Sequence, residues 1–333
     1  MINFRFHLAS LIAVFLALAI GIVMGSTVIK EATVDVLRSQ IHRVERTSNA
    51  RERTNDQLRG QIDNLDDYLR QSAPYTVRGT LAGVTVAVVA VRGVDGGATK
   101  ATAQLIQQAG GFTPGILWLE PTWALKNAAD ARKLGALLGE PDAPARRIRD
   151  DAINALARRL SGSESPALAS VTPLAPTTTT VAPAGAGGPD LLSELVDAGF
   201  LSLEDVGGQA GKTFTLADFP GTTARVLLVT GTDGSVDTTT LVEPLARALV
   251  TAKVPTAVAS VYHDQQGKPG RSSVLAPIRS DGTLSRQVST VDDLDLGAGQ
   301  VASVLALGEL ETRIGHYGYG DGSTAILPPA QGS

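Results

Sequence analysis

GVTVAVVAVRGVDGG, residues 83–97, decides how this chain folds. Val84 to Val91 is a continuous run, apolar but for Thr85, rich in β-branched residues and bounded by Gly83 and Arg92, the pattern of a strand covered on both faces. Asp95-Gly96-Gly97 makes a turn, Ala98 to Ala109 reads as a helix, and Ile116 to Leu119, after Gly115, as the next strand. A strand–helix–strand unit of this kind closes in the parallel, right-handed sense. Trp123 to Leu138 and Pro144 to Leu160 read as further helices. ARVLLVTGTDGS, residues 224–235, returns to the opening form. A buried strand runs from Ala224 to Gly231, followed by a helix over Asp237 to Thr251 and a strand over Thr256 to Val261. Val91 to Gly97 and Val229 to Ser235 share the form V-x-G-x-D-G-small, each at the end of a strand and the start of a helix. The expected fold is α/β, a parallel sheet built from two related halves, residues 75–160 and 190–330. Chance recurrence of Asp-Gly turns is the competing explanation.

Between the halves, residues 161–189 are rich in Ser, Pro, Ala, Thr and Gly, including Pro176 to Val181 (PTTTTV). Such a composition cannot bury enough apolar surface to offset the entropy of ordering, so it reads as a flexible surface segment.

Upstream lie a tail, residues 1–7, an apolar segment, 8–29, and a heptad region, 30–73. Leu8 to Ile29 runs about 22 residues without a charge, enough to cross a hydrocarbon core roughly 30 Å thick as a helix. A cleavable signal peptide is the alternative, with small residues near Gly25, although its apolar run is ordinarily shorter. Ala9, Ala13, Ala17, Gly21 and Gly25 fall every four residues on one stripe, where membrane helices pack closely. Beyond the span, apolar residues alternate in steps of three and four: Val34, Leu37, Ile41, Val44, then Leu58, Ile62, Leu65 and Leu69. Ser48, Arg51 and Asn55 occupy the same register between them. Ile at the first core position and Leu at the second favour a parallel two-stranded coiled coil, and Asn55 stands where a buried asparagine fixes register. The expected partner is therefore a second copy, in a homodimer or higher oligomer. One amphipathic helix lying on the α/β domain is the alternative. A coil of this length would hold the domain up to ~60 Å from the membrane, and Pro74 is expected to end it.

Net charge −4 in 333 residues argues against a nucleic-acid partner, whose footprint would be a basic face. With no cysteine, the chain has no disulfide framework, thiolate nucleophile or cysteine metal site. Topology signals conflict: Lys30, Arg38, Arg43 and Arg46 follow the span against Arg5 before it, which would keep the large domain in the cytoplasm. Large domains translocate largely regardless of charge, and the start of the chain reads as a signal anchor. The main domain is expected outside the cytoplasm, in the cell envelope, with a cytoplasmic domain as the alternative.

The weak candidate metal ligands are Asp95, Asp233, His263 and His316. If the halves share a sheet, Asp95 and Asp233 lie at its carboxyl edge, where open α/β sheets hold ligands. Turn and helix-cap roles compete there, and neither loop matches G-x-G-x-x-G or a P-loop. His263-Asp264 has no serine in a nucleophile-elbow setting and suits a surface turn. Gly315 to Gly322 (GHYGYGDG) is a glycine-aromatic loop, suited to partner contact or to a closing turn. No nucleophile comes with its base, so no catalytic residue is assigned and no enzyme is expected.

FLALAIGIVMGS (Phe15 to Ser26), the heptads directly after it, the VVAV strand unit, VSTVDD (Val288 to Asp293) and AGQVASVLAL (Ala298 to Leu307) together resemble the actinobacterial MctB copper transport family. The resemblance covers the chain except residues 161–189. It implies a mycobacterial-type envelope protein with outer-membrane channel activity that keeps intracellular copper low. No cofactor is evident from the residues, and copper enters through the resemblance only. Copper(I) prefers thiolate and thioether and copper(II) imidazole, whereas this chain offers Met1, Met24 and the scattered His7, His42, His263 and His316. A single span lines a pore only if several chains assemble, and no alternating strand series of a membrane barrel is present. The rival expectation is a dimeric coiled-coil scaffold that presents α/β domains to an envelope partner, such as peptidoglycan hydrolases in cell separation.

Overall fold

The computed structural model describes residues 4–162, 190–207, 216, 219, 225–262 and 274–329, with helical backbone alone over 26–36. His263, the side chain of Val34 and nearly all of the Ser/Pro/Ala/Thr/Gly-rich segment lie outside these residues.

The chain divides into two units, Met1–Leu65 and Asp66–Ser333. The first is helical: α1 runs over Phe4–Thr76 and supplies all of its described residues. Within it Phe4–Gly25 is long and apolar enough to cross a membrane and is wholly exposed. Further along, Leu37, Ile41, Val44, Leu58, Ile62 and Leu65 are at least half exposed. Threonines on this stretch return their hydroxyls to the preceding turn, Thr47 to the Arg43 carbonyl at 2.8 Å and Thr54 to that of Ala50 at 3.0 Å.

The last turns of α1 belong to the second unit. The helix passes through Pro74 to Thr76, and Val77 still donates to the Ala73 carbonyl at 3.0 Å. A proline this close to the end costs one amide bond while its fixed φ remains helical, which is why the expected stop comes a few residues late.

The sheet contains β1 (Val86–Val91), β2 (Ile116–Leu119), β3 (Leu201–Glu204), β4 (Arg225–Gly231), β5 (Thr256–Val261), β6 (Val288–Val291) and β7 (His316–Tyr317), in the order β3-β2-β1-β4-β5-β6-β7. All neighbours are parallel except β2 and β3. The expected parallel sheet thus carries one antiparallel edge strand. From the centre, β1 leads outward to β2 and β4 leads the other way to β5, so the winding reverses between β1 and β4.

Side chains alternate along each strand, and the two sets feed two cores. Ala87, Val89, Val91, Leu117, Leu119, Val226 and Leu228 pack under α3 (Ala128–Leu137), α4 (Ala145–Leu160), α5 (Leu191–Asp197) and α6 (Val242–Thr251). Val86, Val88, Ala90, Ile116, Trp118, Leu227 and Val229 pack under α2 (Gly96–Gln108), α8 (Gly297–Glu309) and Val77 and Leu81 beyond α1. Every residue of β1 is buried, each larger side chain contributing about 1.5–3 kcal/mol by leaving water. A five-residue helix, α7 (Ala276–Ser280), precedes β6. The two strand–helix–strand units therefore place their helices, α2 and α6, on opposite faces of one sheet.

Two expected helices start later than their sequence suggests. Pro121–Ala124, with Trp123, forms a 3-10 turn, Leu125 takes a left-handed φ of 49°, and α3 restarts after Asn127, whose side chain accepts the Asp130 amide at 2.8 Å. Before α6, the Thr238 hydroxyl bonds to that of Thr230 at 2.9 Å, holding residues 237–241 in turns.

Candidate functional site

In a doubly wound sheet the carboxyl ends of the strands frame the ligand crevice where the winding reverses. Here that position lies beyond β1 and β4, where the V-x-G-x-D-G loops follow. The loops meet directly: the Ser235 amide donates to the Arg92 carbonyl at 2.8 Å. Gly93 has φ of 104°, and a Cβ there would lie 2.4 Å from the Asp233 carbonyl oxygen. Only glycine permits this approach, and the protein's own backbone occupies the middle of the crevice.

Asp95 is committed to its own helix. Its Oδ1 accepts the amides of Gly97 at 2.8 Å and Ala98 at 3.2 Å, capping α2. Asp233 is exposed on its loop.

Beside the crevice is a charge cluster that motif reading does not reveal. Arg92 leaves the end of β1 and lies over the Trp118 ring, Cζ to centroid 4.3 Å. Its Nη2 donates to Glu120 Oε1 at 2.9 Å and Ser202 Oγ at 2.6 Å, while the Ser202 hydroxyl donates to the same Glu120 oxygen at 2.5 Å. Trp118 Nε1 donates to Glu204 Oε2 at 2.9 Å. Burial pushes the Glu120 carboxyl up, but the hydrogen bonds from Arg92 and Ser202 and the Arg92 charge outweigh it and leave the group below its ordinary value. Ser202 is engaged as a bridge between Arg92 and Glu120. Arg92 stands inside the motif quoted first and Glu120 directly follows ILWL, so half the cluster had a signal in the sequence. Ser202 and Glu204 lie on an antiparallel strand with none.

At the other end of the same edge, Asp292 closes the glycine-aromatic loop. It is 2% exposed, and its Oδ2 pairs with Arg279 Nη1 at 2.9 Å and accepts the Gly320 amide at 3.0 Å. A Cβ on Gly318 or Gly320 would fall 2.7 Å from Asp292 atoms, so the glycines let the loop wrap the carboxylate. Tyr317 is buried and Tyr319 exposed.

His316, on β7, is held by Thr290 and Ser285. Its Nε2 lies 3.1 Å from the Ser285 carbonyl oxygen, which only accepts, so Nε2 carries the proton. Nδ1, 2.9 Å from Thr290 Oγ1, then accepts from that hydroxyl, which in turn accepts Arg279 Nε at 2.8 Å. Burial, with the Arg279 charge second, lowers the imidazole pKa below 6.5. Asp95 and Asp233 are drawn to neighbouring loops, while His316 sits on the sheet's edge strand beyond β5 and β6. Among the described residues no three His, Asp or Glu side chains come together to hold a metal ion.

An apolar helix of membrane-spanning length and a doubly wound α/β domain define a class, the membrane-associated α/β proteins. The family model described as "Copper transport outer membrane protein, MctB" matches residues 1–328, and the chain belongs to that family. Its relatives include the copper transporter MctB of Mycobacterium tuberculosis (strain ATCC 25618 / H37Rv), 27% identical over 340 residues, covering 98% of this chain and 99% of the relative. The copper transporter MctB of Mycobacterium leprae (strain TN) is 26% identical over 333 residues, covering 99% and 100% respectively.

Proposed function

We propose that this chain serves copper transport at the cell envelope as a membrane-anchored assembly of identical copies, with the α/β domain outside the cytoplasm and copper as cargo. The observation that carries this reading is the family match over residues 1–328. It takes in the apolar helix, the heptad stretch and the α/β domain together, so the likeness extends to the whole architecture rather than to a shared sheet. The exposed apolar stripe of α1 supports self-association, since one helix cannot bury it alone. Span packing along Ala9, Ala13, Ala17, Gly21 and Gly25 belongs to the same assembly.

The test is growth of a deletion strain across a copper series, with intracellular copper measured alongside. Raised copper content and sensitivity, restored by the intact chain, are expected. Normal tolerance and content would overturn the proposal. Chained or misshapen cells at ordinary copper would instead favour the scaffold for peptidoglycan hydrolases, which the comparisons do not support.

A further inference from the structure

In heptad terms Ile41, Ser48, Asn55, Ile62 and Leu69 take the first core position of α1, and Leu37, Val44, Arg51, Leu58 and Leu65 the second. From Leu37 to Leu65 the apolar side chains of this face are exposed, between 50% at Ile41 and 67% at Val44. At its centre stands a charged residue where coiled coils ordinarily place an apolar one. We propose that a second copy of the chain covers this face in parallel, and that Arg51 sets the register by pairing across the interface with Glu52 and Asn55 of that copy.

The proposal rests on the self-association just described and adds its alignment. Copies anchored by the same amino-terminal segment enter a membrane in the same direction, which makes the pair parallel. In a parallel pair, a side chain at the second core position seats in a hole made by four residues of the other helix. For Arg51 in register these are Ser48, Arg51, Glu52 and Asn55 of the second copy. The hole therefore offers a carboxylate, an amide and a hydroxyl to the guanidinium, and symmetry supplies the arrangement twice. The two carboxylates offset the two opposed arginines, and charge-assisted bonds of this kind are the strong ones.

A slip of one heptad in one direction seats Arg51 among Asn55, Leu58, Arg59 and Ile62, a like charge and two apolar side chains. The opposite slip seats it among Ile41, Val44, Glu45 and Ser48, keeping a carboxylate but losing the amide and burying the guanidinium in apolar surface. The aligned pair is the arrangement that satisfies Arg51, and the misaligned ones are penalised.

The absence of cysteine makes the test direct. Full-length chains in membranes carry Leu58→Cys, Leu65→Cys or, as an outward-facing control, Arg53→Cys, and are oxidised with iodine. Leu58→Cys should give a disulfide dimer and Arg53→Cys should not. Copies bearing Leu58→Cys mixed with copies bearing Leu65→Cys should give little mixed product. Adding Arg51→Glu or Glu52→Arg should lower the Leu58→Cys dimer about tenfold, the equivalent of ~1.4 kcal/mol, or divert it to the mixed product. Combining the two reversals should restore it. If both single reversals leave the aligned dimer unchanged, the role of Arg51 is overturned while self-association stands. If Leu58→Cys gives no dimer at all, self-association fails and the register proposal with it.

Discussion

His316 shows how a residue type suggestive of metal binding is committed elsewhere. Its two ring nitrogens are taken by Thr290 and Ser285, and burial with the nearby Arg279 charge disfavours the imidazolium. The folded chain therefore takes up this proton at lower pH than the unfolded chain. This group leaves stability level above about pH 6.5 and lowers it as pH falls through that value toward the folded pKa. NMR titration of the His316 ring should give a midpoint under 6.5. His316→Gln should flatten the drop in Tm between about pH 7 and about pH 5, and an unaltered slope would remove His316 as its source. Asp281 carries the same sign in a lower window, because the Leu284 amide, Arg247 and the Thr283 amide lower its carboxyl to about 2, and its contribution is lost only as pH falls below the ordinary carboxylate value. It stays ionised through the range in which His316 titrates.

Among the elements, α8 takes its amino-terminal cap from another helix. Its cap position is Leu296, which offers no side-chain acceptor, and the Gly297 amide donates instead to Asp66 Oδ1 on the last turns of α1 at 2.6 Å. Arg70 holds Asp66 through Nε at 2.6 Å and the Asp295 carbonyl through Nη2 at 2.5 Å. A borrowed cap should follow the energetics of an ordinary one, so Asp66→Ala should cost about 1 kcal/mol. Urea denaturation reads this as a lower midpoint at constant slope, and an unmoved midpoint would mean that water replaces the carboxylate fully.

Such a cap illustrates what sequence reading reaches and what it misses. β1, β4 and β5 were legible because strands buried on both faces need long apolar runs, and β2 because its four residues, ILWL, are all apolar. LSLE and VSTV interleave polar residues within four positions, and β7 has only two. The starts of α3 and α6 were hidden because the residues before them are helix-compatible in type but diverted by Leu125 and by the Thr230–Thr238 bond. Of the edge residues, Asp95 was readable from its turn. The Arg92–Glu120–Ser202 cluster required knowing that β3 folds back against β2.

For the molecule as a whole, one sheet carrying two cores predicts one cooperative unfolding of the α/β unit. Trp123 reports the core under α3 to α6, and Trp118 the core under α2 and α8. Denaturant curves for Trp118→Phe and Trp123→Phe should each show a single transition, coincident between the remaining tryptophan's fluorescence and the near-ultraviolet circular dichroism of that variant. Two separated transitions would mean that the faces unfold independently.

The edges of that sheet carry a further consequence. One margin is the four-residue β3, turned against its neighbour and bearing Ser202 and Glu204, and the other is the two-residue β7. Long, flat margins recruit other chains into cross-strand aggregates, and anchored proteins crowd together at high local density. Margins this short give a neighbouring domain little template to extend. Encounters between crowded copies are thereby channelled away from fibril-like stacking of the sheets.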